Sequence, residues 1–252
     1  MRIDKYLAEK YGSRTKAAEA VIGGLVTVNG KCVVPSYDVK ESDVLSFKEP
    51  EEYFVSNGGY KLSKALKDFN FSVEGKIIAD VGASNGGFTD CLLKRGAKHV
   101  YCIDVGESQL DSSLLNKSVT VIDNFNARNL TSSIFEVQPN GAAIDVSFIS
   151  LTYILKNVAE ILPENGFIIA LIKPQFECES KNVGKNGIVR DASVRKRIIK
   201  KIYDFAEACN LCAENLTTAP IKPDKNVEYL ILLTKKQGKS IPFEQLYNRI
   251  KF

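Results

Sequence analysis

Apolar runs and amphipathic stretches alternate along most of the chain after residue 60. Gly58-Gly59 precede a helix predicted over 60–69. Apolar runs then predict a strand beginning at Lys76 and others over 99–104, 119–123, 141–146, 167–173, 212–218 and 229–235. Helices are predicted in the gaps, around 88–95, 109–115, 151–160 and 193–209. This alternation specifies an α/β domain with a mostly parallel seven-stranded sheet, closing here in an antiparallel hairpin, and it collects ligands at the carboxyl ends of the strands.

Residues 1 to 47 follow another pattern. Ile3, Leu7 and Ala8 share one helix face, and Ser13 is placed to cap a second helix whose apolar face holds Ala17, Ala18, Val21 and Ile22. Gly23-Gly24 ends that helix. Apolar segments at 25–28 and 31–34 flank Asn29-Gly30, the pair that supplies both positive φ angles of a type I′ hairpin turn, and a last strand is predicted over 44–47. A small α+β domain over 1–47 therefore precedes a short linker, 48–57, that contains Pro50, Glu51 and Glu52, and a larger domain follows over 58–252.

A chain of 252 residues with 44% hydrophobic content builds a sizeable core. No apolar run reaches the ~18 residues of a membrane span, and the start MRIDKYLAEK has no secretory h-region, so a soluble, cytoplasmic protein is expected. The six cysteines, Cys32, Cys91, Cys102, Cys178, Cys209 and Cys212, sit mostly in apolar segments and are expected as reduced, buried thiols. Cys209 and Cys212 have C-x-x-C spacing, but no second pair exists and His99 is the only histidine, so no metal is expected. The net charge of +4 does not by itself imply nucleic acid, but its distribution is uneven. Arg2, Lys5, Lys10, Arg14, Lys16 and Lys31 crowd the first 34 residues, and Arg195-Lys196-Arg197 with Lys200-Lys201 form a second basic run. Each cluster is either a solvated helix face or a contact to an anionic partner. Arg14 and Lys16 fall in the first turn of a helix, where the macrodipole disfavours cations; a phosphate partner would account for them.

The most informative stretch is KIIADVGASNGGFTDCLL, residues 76–93. It reads as strand, ligand loop and helix. The small residues Gly82, Ala83, Ser84, Gly86 and Gly87 let the backbone bend sharply and approach a ligand closely after Asp80. About twenty residues on, a second strand ends in Asp104, where Rossmann-like sites place a carboxylate on a ribose diol. The loop has no G-K-[ST] and lacks G-x-G-x-x-G spacing, which disfavours nucleoside triphosphates and dinucleotides. S-adenosylmethionine, with a ribose and an amino-acid end but no pyrophosphate, fits better. Charged residues also mark other element ends: Lys61, Asp145, Lys173 and Glu228. Taken singly, each has a plain explanation as a helix cap, a snorkelling lysine or a solvated end.

R-I-D-K-Y-L, S-R-T-K-A-A-E-A-V-I and G-L-V-T-V-N-G-K, with a closing strand, resemble the small RNA-binding domain shared by a ribosomal protein, pseudouridine synthases and tyrosyl-tRNA synthetases. That resemblance implies structured RNA gripped by the basic face of the two helices; with the charge distribution, the RNA-contact candidates are Arg2, Lys5, Arg14, Lys16 and Lys31, and Arg195 and Arg197 of the later basic run. Gly58-Gly59-Tyr60-Lys61-Leu62, Asp145-Val146-Ser147-Phe148, Lys173-Pro174-Gln175-Phe176-Glu177 and Asn226-Val227-Glu228-Tyr229 resemble the Lys-Asp-Lys-Glu signature of FtsJ-type RNA ribose methyltransferases. From residue 2 to about 235 the chain resembles the TlyA family of ribosomal RNA 2′-O-methyltransferases, also described as haemolysin-like.

The resemblance implies methionine-end contacts to S-adenosylmethionine at Asp80, Gly82, Ser84 and Phe88, ribose contacts at Asp104, base contacts near Asn126 and Ala127, and Asp145 close to the methyl group. Phe125 departs from the family pattern, in which a small hydroxyl residue precedes the Asn-x-Arg. The implied catalytic set is Lys61, Asp145, Lys173 and Glu228. A ribose hydroxyl is a poor nucleophile, and a cationic donor beside it stabilises the developing alkoxide. Lys173 takes that place, with Asp145 bridging it to the cofactor side and Lys61 and Glu228 fixing the ribose. Whether Lys173 is a base or a charged orienter stays open, because carboxylates favour its charged form and desolvation the neutral one. Gly187-Ile188-Val189-Arg190-Asp191 is either a substrate-side loop or a plain structural one. The family implies cytidine methylation in ribosomal RNA, with the large subunit expected here because the chain begins almost at the RNA-binding motif. The competing readings are a noncatalytic ribosome-assembly factor and a membrane-active haemolysin; the latter lacks the amphipathic or spanning segment it needs.

Overall fold

The computed structural model describes residues 1–48, 52–107, 109–115, 117–222, 224–235 and 238–250, with Lys185 described by its backbone. Pro50 and Glu51 of the expected linker lie outside the described residues. By internal packing the chain divides into two units, residues 1–53 with 222–224, and 54–221 with 225–252.

In the small unit, α1 (Ile3–Tyr6) and α2 (Arg14–Ile22) accompany an antiparallel sheet of order β2-β1-β3, formed by β1 (Val26–Val28), β2 (Lys31–Cys32) and β3 (Leu45–Phe47). Ser13 caps α2, its Oγ accepting the Lys16 N–H at 3.1 Å. Asn29 and Gly30 take φ of 51° and 76°, as a type I′ turn requires. The inward stripe of α2 is Ala17, Ala20 and Val21, so Ala18 and Ile22, expected inside, lie at its half-buried margin. β2 stops at Cys32, short of the expected residue 34, because Pro35 cannot donate to a ladder and Val34 is left exposed. Cys32 is exposed, contrary to expectation, because its short strand lies at the sheet edge. Cys178 and Cys209 are half-buried; Cys91, Cys102 and Cys212 are buried, and none of the six is in a disulfide among the described residues.

The large unit opens with α3 (Asn57–Phe69), which begins inside the segment expected as linker. Leu62, Ala65, Leu66 and Phe69 form its buried stripe, and Asn70 ends it in the left-handed region. Then follow β4 (Ile77–Val81), α4 (Gly87–Lys94), β5 (His99–Ile103), β6 (Val119–Ile122), β7 (Gly141–Ile144), α5 (Leu155–Ile161), β8 (Phe167–Ile172), α6 (Pro174–Glu177), α7 (Ala192–Ala208), β9 (Cys212–Thr218), β10 (Tyr229–Thr234) and α8 (Phe243–Tyr247). The sheet order is β6-β5-β4-β7-β8-β10-β9; β10 alone runs antiparallel to its neighbours. This is the mostly parallel, Rossmann-like seven-stranded sheet that the alternation predicts.

Two apolar layers sandwich the sheet. Leu62, Leu66, Phe88 and Leu92 of α3 and α4 meet Ile78, Val100 and Ile169 on one face. Leu155, Val158, Ile199 and Ile202 of α5 and α7 meet Ala79, Ile144 and Ile168 on the other. Every residue of β8 is buried, as a strand covered on both faces must be. The helix expected over 109–115 is reduced to a single 3₁₀ turn at Ser112–Leu114, capped by Asp111. Leu110 and Leu114 instead fold over Gly86, where an added Cβ would lie 2.6 and 2.5 Å from their methyl carbons.

Buried Asp90 on α4 accepts the Val55 N–H at 3.0 Å and pairs with Lys94 at 2.8 Å, fixing the chain as it enters α3. Replacing it (Asp90→Ala) strands a backbone donor and is expected to lower stability by about 2 kcal/mol, read as a reduced midpoint in thermal or denaturant unfolding.

Candidate active site

The sheet reverses direction of growth between β5 and β7, the neighbours of β4, so a crevice opens beyond the carboxyl ends of β4 and β7. The turn after β4 is drawn tight against both neighbours. Gly82 and Ala83 donate their N–H groups to Ile103 O at 2.8 and 3.1 Å. Gly82 has φ of +86°, and a Cβ there would fall 2.7 Å from Asp145 O, so only glycine lets the two loops touch. Ser84 follows, also at positive φ, and Gly86, at φ +85°, starts α4.

Asp104 staples this turn to the next. Its Oδ2 accepts the Ser84 N–H and its Oδ1 the Gly106 N–H, both at 2.8 Å. Asp80 is fully buried at the end of β4; its Oδ2 accepts Thr89 Oγ1–H at 2.6 Å, while Oδ1 is buried with no hydrogen-bond partner. Burial, with Asp145 adding to it, pushes the Asp80 carboxyl up to about 7. The Phe88 ring is buried in the α3–α4 layer, so what that residue can offer a ligand is its backbone at the start of α4. Gly87 packs beside Ser56 and Gly59. Asn126 is exposed, its Oδ1 capping a 3₁₀ turn by accepting the Arg128 N–H at 3.0 Å, and Ala127 is half-buried in that turn. Phe125 packs into the core below them.

The four charged candidates come from four elements and meet as two pairs. Lys61 Nζ on α3 lies 2.7 Å from Glu228 Oε2, and Lys173 Nζ after β8 lies 2.6 Å from Asp145 Oδ1 after β7. Register explains why Glu228 lies near Lys173: β10 pairs Tyr229 with Ile172, so antiparallel growth sets Glu228 at the same sheet end as Lys173. Lys173 is 9% exposed, and its aligned hydrogen bond goes to Ser147 Oγ at 2.8 Å; the contact to Asp145 is an ion pair without that alignment. Gln175 Nε2 reaches Glu228 Oε1 at 3.5 Å, tying the Lys173 turn to the other pair. Glu177 closes the motif from within. Burial pushes its carboxyl up, and it accepts Ser150 Oγ–H at 2.5 Å and the Leu151 N–H at 2.8 Å.

Ser147, Gln175 and Glu177 lie inside the quoted motifs, yet sequence reasoning gave them no role; their signal is proximity to a charged neighbour. Phe148 is a further addition. Its side chain is 89% exposed at φ 64°, an unusual conformation for a bulky residue, and its ring lies 4.9 Å from that of Phe176, beside Lys173.

The basic residues divide differently from expectation. Arg195 is half-buried, with Nε donating to Tyr229 Oη at 3.0 Å and Nη1 donating to Val189 O and Arg190 O at 3.1 and 2.6 Å. It is a structural clamp, because its position on α7 faces the sheet. Arg197 is exposed. In the small unit Lys5, Lys16 and Lys31 are exposed, whereas Arg2 and Arg14 both bind Asp4 Oδ2, at 2.9 and 3.0 Å. Hydrogen bonds from Arg2, and then Arg14, hold the Asp4 carboxyl below the usual range.

A glycine turn at the sheet's switch point, facing two lysine–carboxylate pairs, is the arrangement of an FtsJ-like methyltransferase. The family model of that description matches residues 54–235, and the S4 domain model matches residues 1–45. Hemolysin A of Brachyspira hyodysenteriae is 43% identical over 91% of this chain and 98% of its own. The 16S/23S rRNA (cytidine-2′-O)-methyltransferase TlyA of Mycobacterium tuberculosis is 34% identical over 94% of this chain and 90% of its own. A solved structure of a hemolysin-named protein from Streptococcus thermophilus superposes with a TM-score of 0.76 at 36% identity, covering 99% of this chain and 94% of that one. The chain belongs to the TlyA family of FtsJ-like methyltransferases. Among the described residues no helix is long and apolar enough to cross a membrane.

The state of Asp80 yields a pH dependence. A carboxyl titrating near 7 when folded keeps its proton over a range in which the unfolded chain, at 3.8, has lost it. Folding then takes up a proton, and stability falls as pH rises from about 4 to about 7, by at most about 1.4 kcal/mol per unit. Asp80→Asn is expected to flatten this dependence. Denaturant unfolding at pH 5, 6 and 7 checks it; equal slopes for both proteins would remove Asp80 as the cause.

Proposed function

We propose that this enzyme transfers a methyl group from S-adenosylmethionine to the ribose 2′-hydroxyl of a cytidine in ribosomal RNA, in the cytoplasm, with the large subunit as its first substrate. The observation that carries the reading is the meeting of Lys61, Glu228, Lys173 and Asp145 at one end of the sheet, with the backbone of Asp145 in contact with the glycine turn. The name of the M. tuberculosis relative supports ribosomal RNA and cytidine, and covers both subunits.

The chain's own residues fit the cofactor. The unpartnered, buried Oδ1 of Asp80 can accept a hydrogen bond from the cationic amino-acid end. Gly82, Ser84, Gly86, Gly87 and the backbone of Phe88 line the turn, Asp104 serves the ribose, and Asn126 with Ala127 borders the base. S-adenosylmethionine supplies an electrophilic methyl group on a sulfonium centre. Lys173, steadied by Asp145 and Ser147, meets the 2′-hydroxyl and stabilises negative charge as it develops on the oxygen. The departing proton has carboxylate acceptors within the same cluster, at Asp145 and Glu228. Lys61 and Glu228 hold the ribose, and Gln175 keeps their pair in register with Lys173. Phe148 offers its exposed ring as a stacking platform for an unstacked cytosine base.

We assign residues 1–47 to RNA docking through Lys5, Lys16 and Lys31 with the outer faces of Arg2 and Arg14, residues 48–57 to a linker, and 58–252 to catalysis.

Purified protein with labelled S-adenosylmethionine and separated, unmodified ribosomal subunits is expected to place label in 2′-O-methylcytidine of the large subunit. Cofactor binding without transfer to either subunit would sink the reading. Lys173→Ala is expected to lower the transfer rate by about 10²–10⁴-fold while cofactor affinity measured by calorimetry stays near wild type. A parallel loss of both would refute the role given to Lys173. Phe148→Ala should raise KM for RNA by about tenfold, the worth of one base stack, and leave cofactor affinity alone.

A further inference from the structure

The segment 184–191 carries no regular element beyond a 3₁₀ turn, and it turns through positive φ at Asn186 and Gly187. Such a loop is ordinarily the loosest part of a fold. Here it is bolted down. Asn226 grips it with both ends of its amide, Oδ1 accepting the Val189 N–H and Nδ2 donating to Gly187 O, each at 2.8 Å. Arg195 grips it from the other side through Val189 O and Arg190 O, and buried Val189 pins the centre. Both grips reach the short segment 226–229 around Glu228: Asn226 lies two residues before it, and Arg195 binds the side-chain hydroxyl of buried Tyr229, the residue after it. The loop is therefore linked to the residues on either side of Glu228, through the side chains of Asn226 and Tyr229. Arg190 is exposed on this loop, beside exposed Asp191, with its main chain fixed by Arg195.

We propose that Asn226 and Arg195 are positioning residues that make the 184–191 loop and Glu228 one mechanical unit, so that a phosphate of the RNA seated on Arg190 sets the Lys61–Glu228 pair for catalysis. This rests on the reading of the enzyme as an RNA ribose methyltransferase. A guanidinium is suited to the contact because it meets phosphate through two parallel hydrogen bonds, and a fixed main chain spares the ordering cost of a mobile loop.

The test joins kinetics to amide hydrogen exchange. Arg190→Gln is expected to lower kcat for ribosomal RNA by about tenfold, with a rise in KM beside it, because the phosphate that sets the Lys61–Glu228 pair loses its seat. Asn226→Ala is expected to lower kcat by about tenfold, with cofactor affinity and the exchange of β4 and β8 unchanged, and to speed exchange across 184–191 by about tenfold or more. In the Asn226→Ala background the Arg190→Gln change should cost less than about twofold, because the loop no longer reports to the site. Arg195→Lys, which keeps the charge but not the three-way geometry, should reproduce these results if Asn226→Ala folds poorly. Full additivity of Arg190→Gln and Asn226→Ala, or unchanged loop exchange in both clamp variants, would overturn the proposal. Exchange is read without substrate, so a wild-type enzyme that failed to methylate RNA would refute the parent reading and leave the clamp separately testable.

Discussion

No charge among the four catalytic candidates is balanced by its own element. Lys61 depends on a carboxylate from the start of β10, and Lys173 on one from the end of β7. Partly buried ions that lose their partners are costly, by about 3–5 kcal/mol when burial is deep, so the pairing ties α3, β7, β8 and β10 together at one end of the sheet. The remaining features of the site conform to that end. The antiparallel insertion of β10 between β8 and β9 is what delivers Glu228 there, and a parallel strand in the same place would have sent it to the far end of the sheet.

The same end of the sheet is where the two loops at the switch point touch. The contact of Gly82 with Asp145 O leaves no room for a methyl group, so the position of one catalytic candidate is fixed by backbone contact with the turn assigned to the cofactor. A shift of the glycine turn would be felt at Asp145 and, through its ion pair, at Lys173. Thr89, Asp80 and the stapling carboxylate of Asp104 stiffen the turn from behind.

Much of this was legible in the sequence for physical reasons. Buried strands of a parallel sheet are continuous apolar runs, and β4, β7, β8 and β10 announce themselves that way. Asn29-Gly30 declares its turn because few other pairs tolerate two positive φ angles. The charged ends of those strands were visible, but their pairing was not, since it depends on strand order and register. The segment at 109–115 misled because Leu110 and Leu114 have helical spacing while their work is to roof Gly86. Arg195 misled because a basic run on a helix says nothing about which face each residue takes. Lys196 pairs with Glu244, Lys200 with Asp204, and Lys201 reaches Glu177, so the run is dispersed around α7 and does not form a single patch.

The two arginines on Asp4 carry a consequence for any polyanion met by the small unit. Three charges held within hydrogen-bonding distance amount to one net positive charge. A phosphate approaching Arg2 or Arg14 meets a guanidinium already oriented but half neutralised. Fewer condensed counterions are then set free than a count of basic side chains suggests, and the logarithm of affinity should decline with the logarithm of salt concentration more gently than that count implies. The small unit is in this sense built for shape more than for charge, with Asp4 exchanging raw attraction for a fixed direction of the donors.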